Sequence, residues 1–489
     1  MRTLSRPLAT SGKILIIACW AILLGLLLYR DYFIEPLDFR ESNILQIAQS
    51  EEYFSIFFRN QKIGHAVYRF APLENNRWQL QQTAKMNLSV GGSLQKIDMD
   101  LDATLTKNQL LDSFIFTFRS PFYQMKAEGT VKDNNVQYQI DTGTNIIYDT
   151  LRLANAPMLA SPRRSYLLTD NLEPGDKRKI PWFDPFSMTG KDSVLEYRGL
   201  ESVLINGRVN KLHHFVEQFT GTRVNSWLDD KGLVIKEESP AGFVFLKEPK
   251  FKALAEPASG NDEILSAIAV QLRGAPPDLA VNEQSYRLSL QNPKDFDLHG
   301  GRQTYQNGIL TIRKEMPISA PAGPGCAPKA ADLQASPYIQ ADNEQVKDLA
   351  RELTANRKEP LAQVQSISRW IFTNLEKRPV LGLPDAVTTL HTKKGDCNEH
   401  AALFAALARA AGIPTRIASG VTYYRNSFYY HAWNEVCIGG QWLSVDATTN
   451  QLPADISHIR FVYGELQDQV RIAGLLGNLA IEVMPNTDQ

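Results

Sequence analysis

Gly395-Asp396-Cys397-Asn398-Glu399-His400-Ala401-Ala402-Leu403-Phe404 reads as the start of a buried helix with a cysteine in its first turn. Asp396 is a strong N-cap residue, and Glu399, three positions on, completes a capping box. Ala401, Leu403, Phe404, Leu407, Ala408 and Ala411 continue an apolar helix. Gly412 sits where a C′ glycine belongs, and Pro414 forbids a restart. Free N–H groups and the helix dipole favour negative charge at this end, so a thiol here is expected to shift toward the nucleophilic thiolate.

A cysteine nucleophile needs a base and a group to orient that base. Phe428 to Ile438 and Gln441 to Thr448 read as strands joined by Gly439-Gly440, a two-residue hairpin signal. The loop pairs Ile438 with Gln441. Carried back without a bulge, that register sets His431 opposite Thr448, with Asp446 its diagonal neighbour on the same face, roughly 7–8 Å away at Cα. Asp446 can then hold the imidazole while its other nitrogen faces a thiol, a Cys–His–Asp arrangement. His400 lies alongside Cys397 on the same helix rather than across from it, so His431 is the expected base. Trp433 shares the parity of His431 and either shields the His–Asp pair or packs the core.

The run from about Leu381 to Gly464 resembles the transglutaminase-like superfamily, whose fold logic is shared with papain-type cysteine proteases. The matching blocks are KKGDCNEHAALFAALARAAGIPTR, YHAWNEVCIGGQW and SVDATTNQLPADISHIR. The resemblance places Cys397, His431 and Asp446 on the catalytic triad positions in the family's order. It implies thiolate attack on an amide carbonyl, a thioester acyl-enzyme, then transfer to water or to an amine. Many relatives have Asp-Pro-Thr where this chain has Asp446-Ala447-Thr448, a change expected to affect loop stiffness more than chemistry. No cofactor and no metal are expected. The substrate expected is a protein or peptide.

The chain has 489 residues, 52 Lys+Arg and 53 Asp+Glu, for a net charge of −1. That balance gives no electrostatic case for nucleic acid. Arg2, Arg6 and Lys13 precede an uncharged apolar run, Ile14 to Tyr29, read as a single transmembrane helix that leaves the bulk of the chain on the periplasmic, extracytoplasmic side of the inner membrane. A cleaved signal peptide is the rival, and the bulky residues Leu26 to Arg30 argue against it. Four cysteines in an oxidising compartment invite disulfides. If Cys397 meets His431 it cannot also reach Cys437, six strand residues from that histidine. A Cys326–Cys437 bridge is open, with Cys437 expected instead as a packed strand residue.

The expected fold class is α+β, a papain/transglutaminase-like C-terminal core following a large antiparallel β-sheet domain, with one N-terminal transmembrane helix. The expected divisions are an anchor over 1–30, a juxtamembrane linker over 31–50, an antiparallel β domain over 51–255, a small β module and Pro/Gly-rich linker over 256–335, and the catalytic core over 336–489. Strand signals such as DSFIFTFRS and turn signals such as Gly91-Gly92 suggest one sheet of about eight or more strands, curled over a core. Such a sheet could hold a lipid or a partner, and a binding or scaffold protein with little turnover is the alternative to the enzyme. His213-His214 point to opposite faces of a strand and make a poor metal pair. His458 is expected to lie outside the triad, at the surface or on a strand.

Overall fold

The computed structural model describes residues 49–168, 172–219, 222–257, 263–316 and 326–485. The apolar run Ile14 to Tyr29 lies outside them. Among the described residues no helix is long and apolar enough to cross a membrane.

The N-terminal region is one fifteen-stranded sheet built from two meanders. Eight strands, Ser50–Phe58 to Ile146–Arg152, run outward on one side. Seven, Met158–Leu159 to Phe243–Lys247, run back on the other. The meanders join where the first strand pairs with the last, Phe54 opposite Lys247 and Phe58 opposite Phe243. Strict alternation drives this. In Leu111–Arg119, Phe114, Phe116 and Phe118 are buried while the residues between them are half-buried or exposed. Each buried Phe contributes about 1.5–3 kcal/mol. Turns fall at positive-φ Asn60, Gly91-Gly92 and Gly232. The sheet curls until its wings touch, with ring centroids 5.2 Å apart for Phe114–Phe183 and 5.0 Å for Phe118–Phe186. A cavity of about 330 Å³ remains, lined among others by Leu101, Phe116, Trp182, Phe183 and Glu217.

The C-terminal core packs helices α1 (Glu344–Thr354), α2 (Pro360–Asn374), α3 (Ala386–Thr392) and α4 (Cys397–Ala410) against strands β1 (Thr415–Tyr424), β2 (Ser427–Ile438), β3 (Gln441–Val445) and β4 (Ile459–Tyr463). Helix α4 is buried on every side from Glu399 to Arg409, so the other three helices and the sheet close around it. Strands Val270–Arg273, Glu283–Ser289, Gln303–Gln306 and Ile309–Arg313 do not stand apart as a small module. They join the sheet of β1 and β2 through Ala480–Val483 and the Val270–Phe428 pair. The tail contributes the strand Ala480–Val483, after a 3-10 turn over Val470–Leu475.

The two regions meet along the segment that leads into Cys397. The Gln95 amide donates to the Pro379 carbonyl at 3.2 Å, the Ser120 hydroxyl to the Leu381 carbonyl at 3.3 Å, and the Thr142 and Thr388 hydroxyls are 2.9 Å apart.

Candidate active site

Local chemistry builds the cysteine's platform. The Asp396 carboxylate accepts from the Asn398 N–H at 2.9 Å, and the Glu399 carboxylate accepts from the Asp396 N–H at 2.8 Å, which completes the capping box. Gly395 makes room for this, since a Cβ there would lie 2.3 Å from that of Glu399. At the far end Ile413 N–H reaches the Ala408 carbonyl and Gly412 N–H the Arg409 carbonyl, both at 2.9 Å, with Gly412 at φ +78°. This is a Schellman motif, and it ends α4 where the sequence pattern indicated.

The hairpin delivers the histidine. Gly439 and Gly440 have φ of +58° and +79°, and the pairs from Ile438–Gln441 to Asn434–Val445 keep the expected register without a bulge. β3 ends at Val445, so His431 and Thr448 are not ladder partners. Instead Asp446 leaves the strand and bridges to Gln451. Its carboxylate still reaches His431, Nε2 to Oδ2 at 3.0 Å. The Asn434 amide ties β2 to α4 through the Ala401 carbonyl at 3.0 Å, which holds His431 over the helix start. The His431 side chain also interacts with the Cys397 thiol. Cys397 is half-buried and Asp446 is fully buried.

The electrostatics differ from the sequence expectation at the thiol. Burial pushes Cys397 up, the Asp396 carboxylate adds to that, and His431 and the Ala432 N–H pull it back without cancelling the rise. The helix N-terminus was expected to lower it, but the same N-cap that starts the helix sets a negative charge beside the sulfur. For His431, burial disfavours the imidazolium, yet Asp446 and Cys397 overcome it and hold the group up at about 10. Burial also works against the Asp446 carboxylate, which His431 and then His458 hold well below its usual range.

Three other readings resolve. His400 is fully buried, its Nδ1 is 2.6 Å from the Asp396 carbonyl, and burial depresses it, which fits a neutral structural residue. Trp433 lies with its ring centroid 6.2 Å from that of His431, nearly parallel, and 1 % exposed. Cys437 is not a free packed residue. It is disulfide-bonded to Cys326 with the Cα atoms 6.0 Å apart, because the chain after the Pro/Gly-rich loop returns along the hairpin, Cys326 N–H donating to the Gly440 carbonyl.

His458 is the residue that sequence reasoning misplaced. It is 2 % exposed, and its Nε2 lies 3.3 Å from the same Asp446 Oδ2 that binds His431. Donor atoms of His431, Asp446 and His458 fall within 4.8 Å of one another, close enough to hold a metal ion. Hydrogen bonds among the three already engage those atoms. His213 and His214 remain separate, turned to Tyr197 and to Asn225.

A cysteine starting a buried helix, set against a His–Asp pair on an antiparallel sheet, is the papain-like arrangement. Residues 347–447 match the family model of the transglutaminase-like superfamily. An uncharacterised protein from Haemophilus influenzae is 35 % identical over 94 residues, which cover 18 % of this chain and a quarter (25 %) of that relative's length. Among solved structures, a candidate cysteine protease from Cytophaga hutchinsonii is 19 % identical over 45 % of this chain and 83 % of its own, with a TM-score of 0.26. The periplasmic domain of TgpA from Pseudomonas aeruginosa is 27 % identical over 24 % and 46 %, with a TM-score of 0.21. A β-barrel-like protein of unknown function from Brucella abortus is 9 % identical over 42 % and 97 %, with a TM-score of 0.33.

Proposed function

We propose that this protein is a membrane-anchored, extracytoplasmic cysteine enzyme that opens amide bonds of a protein or peptide through a thioester on Cys397. The observation that carries the reading is the His431–Asp446 pair, Nε2 to Oδ2 at 3.0 Å, whose imidazole also interacts with the Cys397 thiol at the start of α4. In the reaction the sulfur attacks the carbonyl carbon as the thiolate, its proton released and its charge held by the His431 imidazolium beside it. The C–N bond then breaks as that imidazolium gives its proton to the leaving amine. The developing oxyanion would sit at the α4 N-terminus, near the Cys397 N–H. Water or a second amine then cleaves the thioester. Water is the favoured acceptor, since it competes at any site without a dedicated amine pocket. The Cys326–Cys437 disulfide supports an oxidising compartment, and the run Ile14 to Tyr29 would supply the anchor.

A second reading, in which the β domain holds an apolar ligand, is favoured by the aromatic-lined cavity of about 330 Å³.

The test is incubation of the full chain in detergent with peptide amides, with and without a primary amine, followed by intact-mass analysis. An acyl adduct on Cys397 and released amine, both absent in Cys397→Ala, are the expected result. Turnover unchanged in Cys397→Ala would overturn the proposal.

A further inference from the structure

We propose that His458 is a positioning residue for this site, a buried imidazolium clamped between Asp446 and Asp455 that aims Asp446 at His431 and offsets part of its charge. This rests on the reading of Cys397, His431 and Asp446 given above.

The geometry is a chain of alternating partners. Asp446 Oδ2 faces His431 Nε2 at 3.0 Å and His458 Nε2 at 3.3 Å, and takes the Thr449 hydroxyl as well. Oδ1 is occupied by the Thr448 N–H at 2.8 Å. His458 Nδ1 then faces Asp455 Oδ1 at 3.0 Å. A carboxylate only accepts, so a ring with one carboxylate on each nitrogen is satisfied only when both nitrogens carry protons. Asp455 is itself anchored, its Oδ1 taking the Ser457 N–H at 2.9 Å and the Ser457 hydroxyl at 2.6 Å. The Trp433 ring meets His458 edge-on at 5.2 Å.

Every charged group packed around His458 fits this account. From β2 comes His431, with ring centroids 5.6 Å apart. From β1 comes only the neutral Thr422 hydroxyl, 3.4 Å from Nδ1. Arg302 is spent on the Ala454 and His458 carbonyls and stands 3.7 Å from Glu315. Asp446 and Asp455 are thus the anions that meet the ring, and burial of the ring is opposed by both.

The consequence concerns the proton on His431. Beside a carboxylate with no other counter-charge, His431 would hold its proton too firmly to return it to a leaving amine. A second cation on the same carboxylate oxygen weakens that hold. At 5.6 Å and an effective dielectric near 20, its removal should raise His431 by about two pH units.

The test uses the full chain with ¹⁵N-labelled histidine. Near neutral pH, wild-type His458 should show protons on both ring nitrogens, and a singly protonated ring overturns the proposal. His458→Gln keeps a donor toward Asp446 and removes the charge. The His431 titration should then move upward or leave the measurable range. Asp455→Asn, which removes only the outer carboxylate, should shift His431 in the same direction by less. A merely structural His458 predicts the opposite sign, because a loosened site frees His431 from Asp446 and lowers it. An unmoved or lowered His431 in the folded variants overturns the inference. A different failure, wild-type Cys397 alkylating independently of His431, would sink the functional reading itself and leave the ¹⁵N result on His458 standing.

Discussion

Replacing Asp446 by Asn should switch off His431 while leaving the fold in place. His431 is held at about 10 against an ordinary 6.5, and burial opposes the rise. The difference of about 3.5 pH units corresponds to roughly 5 kcal/mol. An independent estimate agrees, since unit charges 3.0 Å apart at an effective dielectric near 20 attract by roughly 5–6 kcal/mol. In Asp446→Asn that attraction is gone while burial and Cys397 remain, so His431 should titrate well below about 10. Hydrogen-bond polarity adds a second fault. The Asn oxygen can still accept from Thr448, but its NH₂ then faces Nε2 of His431 and of His458. His431 can meet an NH₂ only by giving up its Nε2 proton, which puts the remaining proton on the nitrogen facing sulfur. That neutral tautomer no longer holds the thiolate as an ion pair, and turnover should fall about 10²–10⁴-fold. The pH dependence of stability has a definite sign. A folded value above the unfolded one contributes fully below about pH 6.5 and is lost as pH rises through about 10, so wild type should lose stability across that window and the variant should not. The assay is a ¹⁵N-histidine titration of the full chain with thermal melts at both ends of the window. A wild-type His431 titrating near 6.5, or a variant one staying near 10, would refute the reasoning.

Other outcomes follow from the same structure. Asp396→Asn keeps the N-cap hydrogen bond but removes the negative charge that helps push the thiol up, so Cys397 should alkylate several-fold faster at neutral pH, whereas Asp396→Ala should cost about 1 kcal/mol in thermal unfolding. Cys326→Ser with Cys437→Ser opens a loop with a sequence separation of 111 and should cost about 2–5 kcal/mol, read as a lower denaturation midpoint that matches reduced wild type. Gly420→Ala sets a Cβ 1.9 Å from the Ile459 carbonyl oxygen, a backbone clash between β1 and β4 beside the site, and should cost about 1–3 kcal/mol or more with loss of activity. Phe183→Ala should cost about 3–5 kcal/mol by hollowing the contact between the two wings of the large sheet.

What was legible in the sequence was what short-range rules govern. The α4 start, its cap at Asp396 and Glu399, its stop at Gly412 and the Gly-Gly hairpin all follow from residues within a few positions of each other. Alternation in stretches such as Leu111–Arg119 gave the large sheet its faces, although not its closure of Ser50–Phe58 against Phe243–Lys247, a pairing across most of the domain. His458 was misplaced, and the Cys326–Cys437 bridge left open, for the same reason. His458 arrives beside Asp446 only because the chain turns at the Asp446–Gln451 bridge and β4 returns along β1. A local signal was present in Asp455-Ile456-Ser457-His458, where the Asp carboxylate caps the Ser457 N–H and fixes the direction of the histidine. The thiol was misjudged because the helix end was weighed without the carboxylate that caps it or the burial around it.

The account depends most on Cys397 and His431 acting as one unit. The direct measurement is the iodoacetamide alkylation rate of Cys397 across pH in the full chain, wild type against His431→Ala, with peptide mapping to assign the label. Because the imidazolium pulls the thiol down against burial, removing it should move the Cys397 midpoint to higher pH and slow alkylation at neutral pH. Superimposable profiles in two folded proteins would contradict the account.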